Sequence, residues 1–273
     1  MGVLNKYFFN LQYLLGRLAI FIIGPLSYLA FLLMGYRVRD LWKVRRECLL
    51  HFKKHKGPWL ICPNHLTMID SAILSIAMLP LYSYLLQYRL LPWNLPESAN
   101  FQRNLFLVII CYLAKCIPVS RGGDRDEMKS VLDKCDYLLS RKQSLLIFPE
   151  GGRTRTGLVK TEGFSYGVGR FVKNHEDCRV MCVYLRGDHQ DAYSDIPRLG
   201  ERFTMRVETF RPLTRYKGLR GQRDYAEQIM KRLTGMEETY FATYRQRHSG
   251  FDRSGRHGEE PGYTLCKPGF HSR

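Results

Sequence analysis

The sequence has 273 residues and a mass of 32.0 kDa, which is enough for one large domain with an accessory segment but not for two large domains. Hydrophobic residues make up 45% and aromatic residues 13%, which predicts a sizeable buried core and excludes fibrous and wholly disordered chains. The net charge of +17 favours anionic partners such as phospholipid headgroups, nucleic acid or phosphorylated substrates, without choosing among them.

An uncharged apolar stretch of nineteen residues, 18–36, is close to the length that spans a bilayer as a helix. Gly24-Pro25 lies in its middle, where the proline ring lacks an N–H and clashes with the preceding turn. Two short helices in one leaflet are therefore an alternative to one straight crossing, and either arrangement places the segment in lipid.

A basic flank follows this stretch. Residues 37–56 contain eight basic side chains against two acidic ones, a local charge of +6. Such a cluster beside an apolar segment is typical of a flank that faces an anionic, cytoplasmic leaflet, although a merely solvated helix face has the same composition. We expect residues 1–45 to anchor the chain to the cytoplasmic face of a membrane.

Short apolar runs alternate with amphipathic segments through the rest of the chain. The predicted strands are residues 59–63, 117–120, 144–149, 179–186 and 203–210. The predicted helices are residues 70–78, 104–115, 124–141, 163–174 and 223–244. This alternation predicts an α/β fold with a mostly parallel or mixed central sheet flanked by helices.

The predicted α/β domain covers residues 46–244. The segment 245–273 is poor in apolar residues and rich in Gly, Arg and His, so we expect a polar, flexible tail. The eight Cys form no C-x-x-C pair and the eight His no H-E-x-x-H motif. Reduced, buried thiols are expected, with neither a metal site nor a cofactor.

The first polar block, NHLTMIDS, follows the strand predicted at residues 59–63. In one regular helix His65 and Asp70 would lie about 140° apart around the axis, so they can meet only if His65 lies in a loop and Asp70 in the first helical turn. A carboxylate that holds one imidazole nitrogen leaves the other to accept a proton from a hydroxyl. A surface His beside a capping Asp would give the same isolated pattern.

The second polar block, FPEGGRTRTG, follows the strand predicted at residues 144–149. Its glycines allow the backbone to approach a ligand, and Arg153 and Arg155 offer forked donors that match phosphate oxygens. A solvated basic turn is the alternative. Since ligands bind outside the carboxyl ends of parallel strands, both blocks are expected to face one pocket.

Together, NHLTMIDS, PVSR at residues 118–121 and FPEGGRTRTG resemble the three ordered motifs of the lysophospholipid and glycerophosphate acyltransferase family. The resemblance implies that His65 is the general base and Asp70 its orienting partner. It also implies that the acceptor hydroxyl attacks an acyl-CoA or acyl carrier protein thioester directly. By the same resemblance, four residues would hold the glycerol and phosphate of the acceptor: Arg121, Glu150, Gly151 and Arg153.

The resemblance departs from the family pattern at two places. The segment VMCV, residues 180–183, lacks the proline of the fourth motif, and EGGRTRTG is closer to the third motif of glycerol-3-phosphate acyltransferases. A lysophospholipid, foremost 1-acyl-glycerol-3-phosphate, is the expected acceptor, with glycerol-3-phosphate or another lysolipid as the alternative. The competing hypotheses are a catalytically silent membrane protein and a nucleic-acid-binding protein. The second is disfavoured because no nucleic-acid-binding motif is present, so we expect no nucleic-acid partner.

Overall fold

The computed structural model describes residues 3–101, 104–120, 122, 124–191 and 194–249. The α-helices are α1 (Val3–Leu33), α2 (Leu41–Lys54), α3 (Asp70–Met78), α4 (Leu81–Leu86), α5 (Ser98–Phe101), α6 (Leu105–Leu113), α7 (Arg125–Ser140), α8 (Gly167–Asn174) and α9 (Gly218–Ser249). A single 3₁₀ turn, Tyr88–Leu90, is also described. The strands are β1 (Arg37–Val38), β2 (Trp59–Pro63), β3 (Trp93–Asn94), β4 (Leu145–Leu146), β5 (Arg179–Gly187) and β6 (Arg202–Phe210).

The six strands form one mixed sheet in the order β1-β6-β5-β2-β4-β3. The four strands β5, β2, β4 and β3 run parallel to one another, and β6 pairs with β5 in the antiparallel direction. The predicted α/β class with a mixed central sheet is therefore confirmed. Because β2 and β4 are neighbouring parallel strands, the loops that follow them leave the sheet at the same edge.

The central strands are buried on both sides, as expected for parallel strands covered by helices. All five residues of β2 are buried, and so are eight of the nine residues of β5. The core shared by the sheet and the helices includes Ile61, Ile73, Leu74, Met181 and Phe203.

Helix α1 continues without a break through Pro25. Its side packs against α3, α4 and α6, and Gly24 lies so close to Leu81 of α4 that a Cβ atom there would be 2.5 Å from its Cδ1. Such packing can keep a helix continuous even though proline removes one of its backbone hydrogen bonds. Within α1 the segment Lys6–Leu33 is long and apolar enough to cross a membrane, which makes it a candidate membrane segment.

Several predicted elements differ from those observed. The strand predicted at residues 144–149 is reduced to β4, Leu145–Leu146, and the helix predicted at residues 163–174 begins at Gly167. Residues 117–120 do not form a regular strand, because only the isolated bridges Asn94↔Cys116 and Glu97↔Val119 join this segment to its neighbour. Helix α9, predicted at residues 223–244, begins five residues earlier, at Gly218, and ends five residues later, at Ser249.

Residues up to Glu237 form one compact unit. In the second unit, which starts at Glu238, the described residues are helical as far as Ser249.

Candidate active site

His65 and Asp70 are brought together in the way their spacing requires. His65 lies in the loop after β2, and Asp70 is the first residue of α3. The Nδ1 atom of His65 is 3.0 Å from Oδ2 of Asp70. The same carboxylate oxygen accepts hydrogen bonds from the backbone N–H groups of Leu66 and Thr67 at 2.7 and 2.8 Å, and the Thr67 hydroxyl donates to Oδ1.

This hydrogen bonding fixes which imidazole nitrogen carries the proton. An ionised carboxylate can only accept, so the ring proton of His65 lies on Nδ1 and the lone pair on Nε2. No hydrogen-bond partner for Nε2 is found among the residues that the structure describes, and the side chain is 14% exposed. The geometry therefore leaves Nε2 accessible as a proton acceptor.

The second polar block lies against the first. The ring of Phe148 stacks on His65 with centroids 3.8 Å apart and planes 16° from parallel. The backbone N–H of His65 donates to Oε1 of Glu150 at 2.7 Å, and the N–H of Thr154 donates to the carbonyl of His65 at 3.1 Å. The two loops thus lie together, with one face of the His65 ring against an aromatic ring and the His65 backbone bonded to the second block.

Glu150 points into the protein and fastens the two loops together. Its side chain is almost inaccessible, with 1% of the residue exposed. Besides the bond from His65, its Oε2 atom accepts the backbone N–H of Lys160 at 3.0 Å. Burial raises the pKa of Glu150 to about 7, even though these two backbone donors act in the opposite direction. This carboxyl group is therefore easily protonated near neutral pH.

Asn64 fixes the start of the His65 loop to the neighbouring strand. Its side-chain oxygen accepts the backbone N–H of Leu185 in β5 at 2.7 Å, and its amide donates to the carbonyl of the same residue at 3.0 Å. These two side-chain bonds take the place of the backbone bonds that β2 would make to β5 if the strand continued. The loop therefore leaves the sheet in a defined direction.

Arg153 forms an ion pair with Asp195, a residue of the long loop between β5 and β6. The arginine side chain is 17% exposed, whereas that of Asp195 is 62% exposed. The backbone carbonyl of Asp195 also accepts the N–H of Met68 at 2.9 Å, so this loop contacts both polar blocks. Any anion that binds Arg153 competes with an exposed carboxylate.

Two other predicted site residues have different outcomes. Gly151 adopts φ +69°, a conformation that favours glycine, and its N–H is already bonded to the carbonyl of Phe148 at 3.1 Å. This N–H is therefore not available to an oxyanion. Arg121 lies outside the described residues, so its predicted place at the site stays a prediction.

An apolar cavity of about 370 Å³ lies between α1, α3, α4 and α6. Part of its wall is formed by residues close to Asp70 in the chain: Met68, Ile69, Ser71 and Ala72. The remaining wall is mostly aliphatic and aromatic, and it includes Ile23, Ile76, Leu79, Tyr84, Leu107 and Ile110. Its chemistry suits a hydrocarbon chain rather than a polar molecule.

Three contributors to the site were not recognised from the sequence. Phe148 could have been noticed as the aromatic residue before Pro149, and Thr67 as a hydroxyl three residues before Asp70. Asp195 carried no signal, because it comes from a loop more than forty residues beyond Arg153. No cluster of three potential metal-ligating side chains occurs in the part of the chain that the structure describes.

Comparisons with known proteins identify a family. A family model described as Acyltransferase matches residues 37–186, which is more than half of the chain. Among solved structures, the crystal structure of the 1-acyl-sn-glycerophosphate (LPA) acyltransferase PlsC from Thermotoga maritima is similar, with a TM-score of 0.43 and 13% sequence identity. The similarity covers 84% of this chain and 95% of that chain. No curated protein matches the sequence.

Proposed function

The chain belongs to the acyltransferase family, and from that premise we propose that it transfers a fatty acyl group from acyl-CoA or acyl carrier protein to the hydroxyl of a lysophospholipid. The observation that carries the proposal is the His65–Asp70 pair, with Nδ1 and Oδ2 3.0 Å apart and Nε2 left to accept a proton. The acceptor that fits the sequence motifs best is 1-acyl-glycerol-3-phosphate, with glycerol-3-phosphate or another lysolipid as the alternative.

In the proposed reaction, Nε2 of His65 takes the proton of the acceptor hydroxyl as its oxygen attacks the thioester carbonyl. The tetrahedral oxyanion collapses, the C–S bond breaks, and the leaving thiolate receives the proton from the imidazolium. Asp70 stabilises the positive charge that the ring carries between these two events. One ester forms for each thioester that is broken.

Direct attack is favoured over a covalent acyl-enzyme. The hydroxyl side chain in the loop, that of Thr67, donates its proton to Asp70 and not to the imidazole. A serine or cysteine nucleophile would need to lie within hydrogen-bonding reach of Nε2. None is found there among the described residues.

Arg153 is proposed to bind the phosphate of the acceptor, together with Arg121. A guanidinium can bind two phosphate oxygens at once, and binding would replace the Asp195 carboxylate that it now contacts. Glu150 and Gly151 were predicted to touch the acceptor. We now propose that they act on it indirectly, because Glu150 bonds to His65 and Lys160, while Gly151 shapes the turn.

The apolar cavity is proposed to shelter an acyl chain, because residues on both sides of Asp70 in the chain line it and its wall is mostly aliphatic. The acceptor is a lipid and has to be met at a membrane. Helix α1 and the basic flank after it would hold the site at the cytoplasmic face of an anionic membrane surface.

The test is an assay with radiolabelled acyl-CoA and a panel of acceptors, including 1-acyl-glycerol-3-phosphate, other lysophospholipids and glycerol-3-phosphate. The proposal predicts labelled phospholipid that depends on His65, with the highest kcat/KM for a phosphate-bearing lysolipid. Label transferred to no acceptor, from either acyl-CoA or acyl carrier protein, would contradict the proposal.

A further inference from the structure

Helix α6 is apolar on all sides. One face, with Leu107, Ile110 and Cys111, lines the apolar cavity at the spacing of a single helical face. The opposite face is turned outward, where Leu105 is 75% and Phe106 is 68% exposed. The nine residues carry no charge and none of them is buried.

This outward face differs from that of an ordinary surface helix. Helix α7 buries Val131 and Cys135, and it places charged side chains such as Glu127 and Lys129 on its outer face. Helix α6 instead has leucine, phenylalanine and isoleucine side chains on its outward face. A helix that is hydrophobic all round is typical of a protein core or of a lipid environment, and α6 is not in the core.

The exposed face of α6 continues the exposed face of α1. Gln12 of α1 donates from Nε2 to the carbonyls of Tyr112 and Cys116, at 2.9 and 3.1 Å. Gly16 lies so close to α6 that a Cβ atom there would be 2.6 Å from the carbonyl oxygen of Leu113. The two helices therefore form one surface, and α1 adds exposed apolar side chains to it, such as Leu11, Leu18, Phe21 and Ile22.

Several of the backbone groups at the ends of α6 are bonded within the protein. The side chain of Asn104 caps the first turn by accepting the N–H of Leu107 at 3.0 Å. At the other end, the carbonyl of Cys111 accepts the N–H of Cys116 at 3.0 Å, and that of Leu113 accepts the Tyr88 hydroxyl at 3.3 Å. Helix ends usually leave such carbonyls to solvent, whereas lipid requires them to be satisfied within the protein.

We propose that α6 is a second membrane-contacting element, whose outer face lies among the acyl chains of a phospholipid bilayer beside α1. A helix of nine residues is about 14 Å long, which is roughly half of the hydrocarbon thickness. It therefore enters one leaflet and does not cross the membrane. Its inner face lines the apolar cavity, so α6 separates that cavity from the lipid. This assignment is independent of the catalytic roles of His65 and Asp70.

The test uses the full chain with Phe106→Trp, bound to vesicles of phosphatidylcholine and phosphatidylglycerol, with or without bromine atoms on the acyl chains. The matched control is Leu213→Trp, since Leu213 is also a large apolar side chain that is mostly exposed, at 73%, but lies outside α1 and α6. The emission of the three native tryptophans, measured on the parent protein, is subtracted. Both substitutions exchange one apolar side chain for another and preserve the fold.

The proposal predicts that bromolipids quench the added emission of Phe106→Trp, that aqueous iodide does not, and that Leu213→Trp shows the reverse. Quenching of both variants by iodide alone would mean that α6 faces water, and would overturn the proposal. Protection of Phe106→Trp from both quenchers would also overturn it, because a second copy of the chain would then cover the face.

A second variant measures the contribution to binding. Phe106→Lys should lower the partition coefficient into phosphatidylcholine vesicles by about tenfold or more, because it replaces an aromatic ring that contacts the acyl chains with a charge. Leu213→Lys should leave the partition coefficient unchanged. Equal partitioning of both variants would contradict lipid contact by α6.

Discussion

The two loops that meet at the site are built differently. The side chain of His65 is oriented by a residue of its own segment, because Asp70 bonds to His65, Leu66 and Thr67 within six positions of the chain. The loop that carries Glu150 and Arg153 depends on remote partners instead. The His65–Asp70 geometry is therefore set within one short segment, although the backbone of that loop is also bonded to Glu150 and Thr154. The placement of Arg153, by contrast, involves a residue from a remote loop.

The difference is expected to appear in what each loop controls. A rigid local arrangement suits the proton-transferring group, for which small displacements are costly in rate. A loop whose arginine already pairs with an exposed carboxylate suits a binding role, since the partner can be exchanged for a ligand. Changes in the first loop should therefore alter kcat, and changes in the second should alter stability and KM.

The largest effect is expected from Asp70→Asn. The amide preserves the shape of the side chain but removes the charge that supports the imidazolium and fixes the tautomer. We expect kcat to fall on the order of 10³- to 10⁴-fold while KM changes little, as for the analogous change in a catalytic triad. Steady-state acyl transfer measures this.

A matched control for Asp70→Asn is available in a second His–Asp pair. His175 and Asp136 are 3.1 Å apart before the start of β5, at the opposite edge of the parallel strands. Asp136→Asn should leave kcat unchanged. Equal kcat losses in the two variants would mean that the loss in Asp70→Asn does not come from a catalytic role of Asp70.

The next effect concerns Glu150→Gln and the dependence of stability on pH. Burial raises the pKa of Glu150 from 4.5 to about 7 in the folded protein. The folded state thus binds the proton more tightly than the unfolded state, so the contribution of this group to stability is complete below pH 4.5 and is lost as the pH rises towards 7. The free energy of unfolding of the parent should fall by about 3 kcal/mol relative to that of Glu150→Gln over this interval.

Urea unfolding at several pH values measures that difference. Glu227→Gln, on the exposed side of α9, is the control and should follow the parent at every pH. A difference between Glu150→Gln and the parent that does not change with pH would mean that burial does not raise the pKa of this carboxyl group in the folded protein.

A smaller effect, on binding, is expected from Arg153→Ala. Loss of a charge-assisted bond to the acceptor phosphate should raise KM by about 10- to 100-fold with little change in kcat. Arg153→Lys should restore only part of the affinity, because an ammonium lacks the planar fork. Arg232→Ala, which breaks a separate ion pair with Glu208, is the control and should leave KM as it is.

Asp195→Asn should change KM in the direction opposite to Arg153→Ala. Removing the charge that competes for Arg153 should lower KM severalfold, since a bound phosphate no longer has to displace a carboxylate. If both Arg153→Ala and Asp195→Asn left KM unchanged, the second loop would not bind the acceptor phosphate.

The features that the sequence predicted correctly are those that depend on short segments of the chain. The limits of β2 and α3 were predicted to the residue, because they depend on a local apolar run and on a loop-to-helix transition. The His65–Asp70 pair was predictable for the same reason, since five positions of chain determine it. Residues 117–120 were wrongly predicted as a strand, because an apolar run indicates burial but not the ladder partner that makes a strand.

The second loop was less predictable because its contacts are long-range. The sequence indicated a basic, glycine-rich turn, but it gave no sign that Glu150 would bond to the backbone of His65, eighty-five positions away. Nor could it indicate that Asp195 would pair with Arg153. Such contacts depend on the order of strands in the sheet and on the path of the β5–β6 loop, which one-dimensional patterns do not contain.

The central claim is that Nε2 of His65 removes the proton of the acceptor, and comparing the acyl-transfer rates of His65→Ala and His175→Ala tests it most directly. Both histidines pair with an aspartate, so both variants lose a similar contact. The account predicts that His65→Ala loses about 10²- to 10⁴-fold in kcat while its circular dichroism and thermal unfolding stay those of a folded protein, and that His175→Ala keeps the parental rate. A folded His65→Ala protein that transfers acyl groups at the parental rate would contradict it.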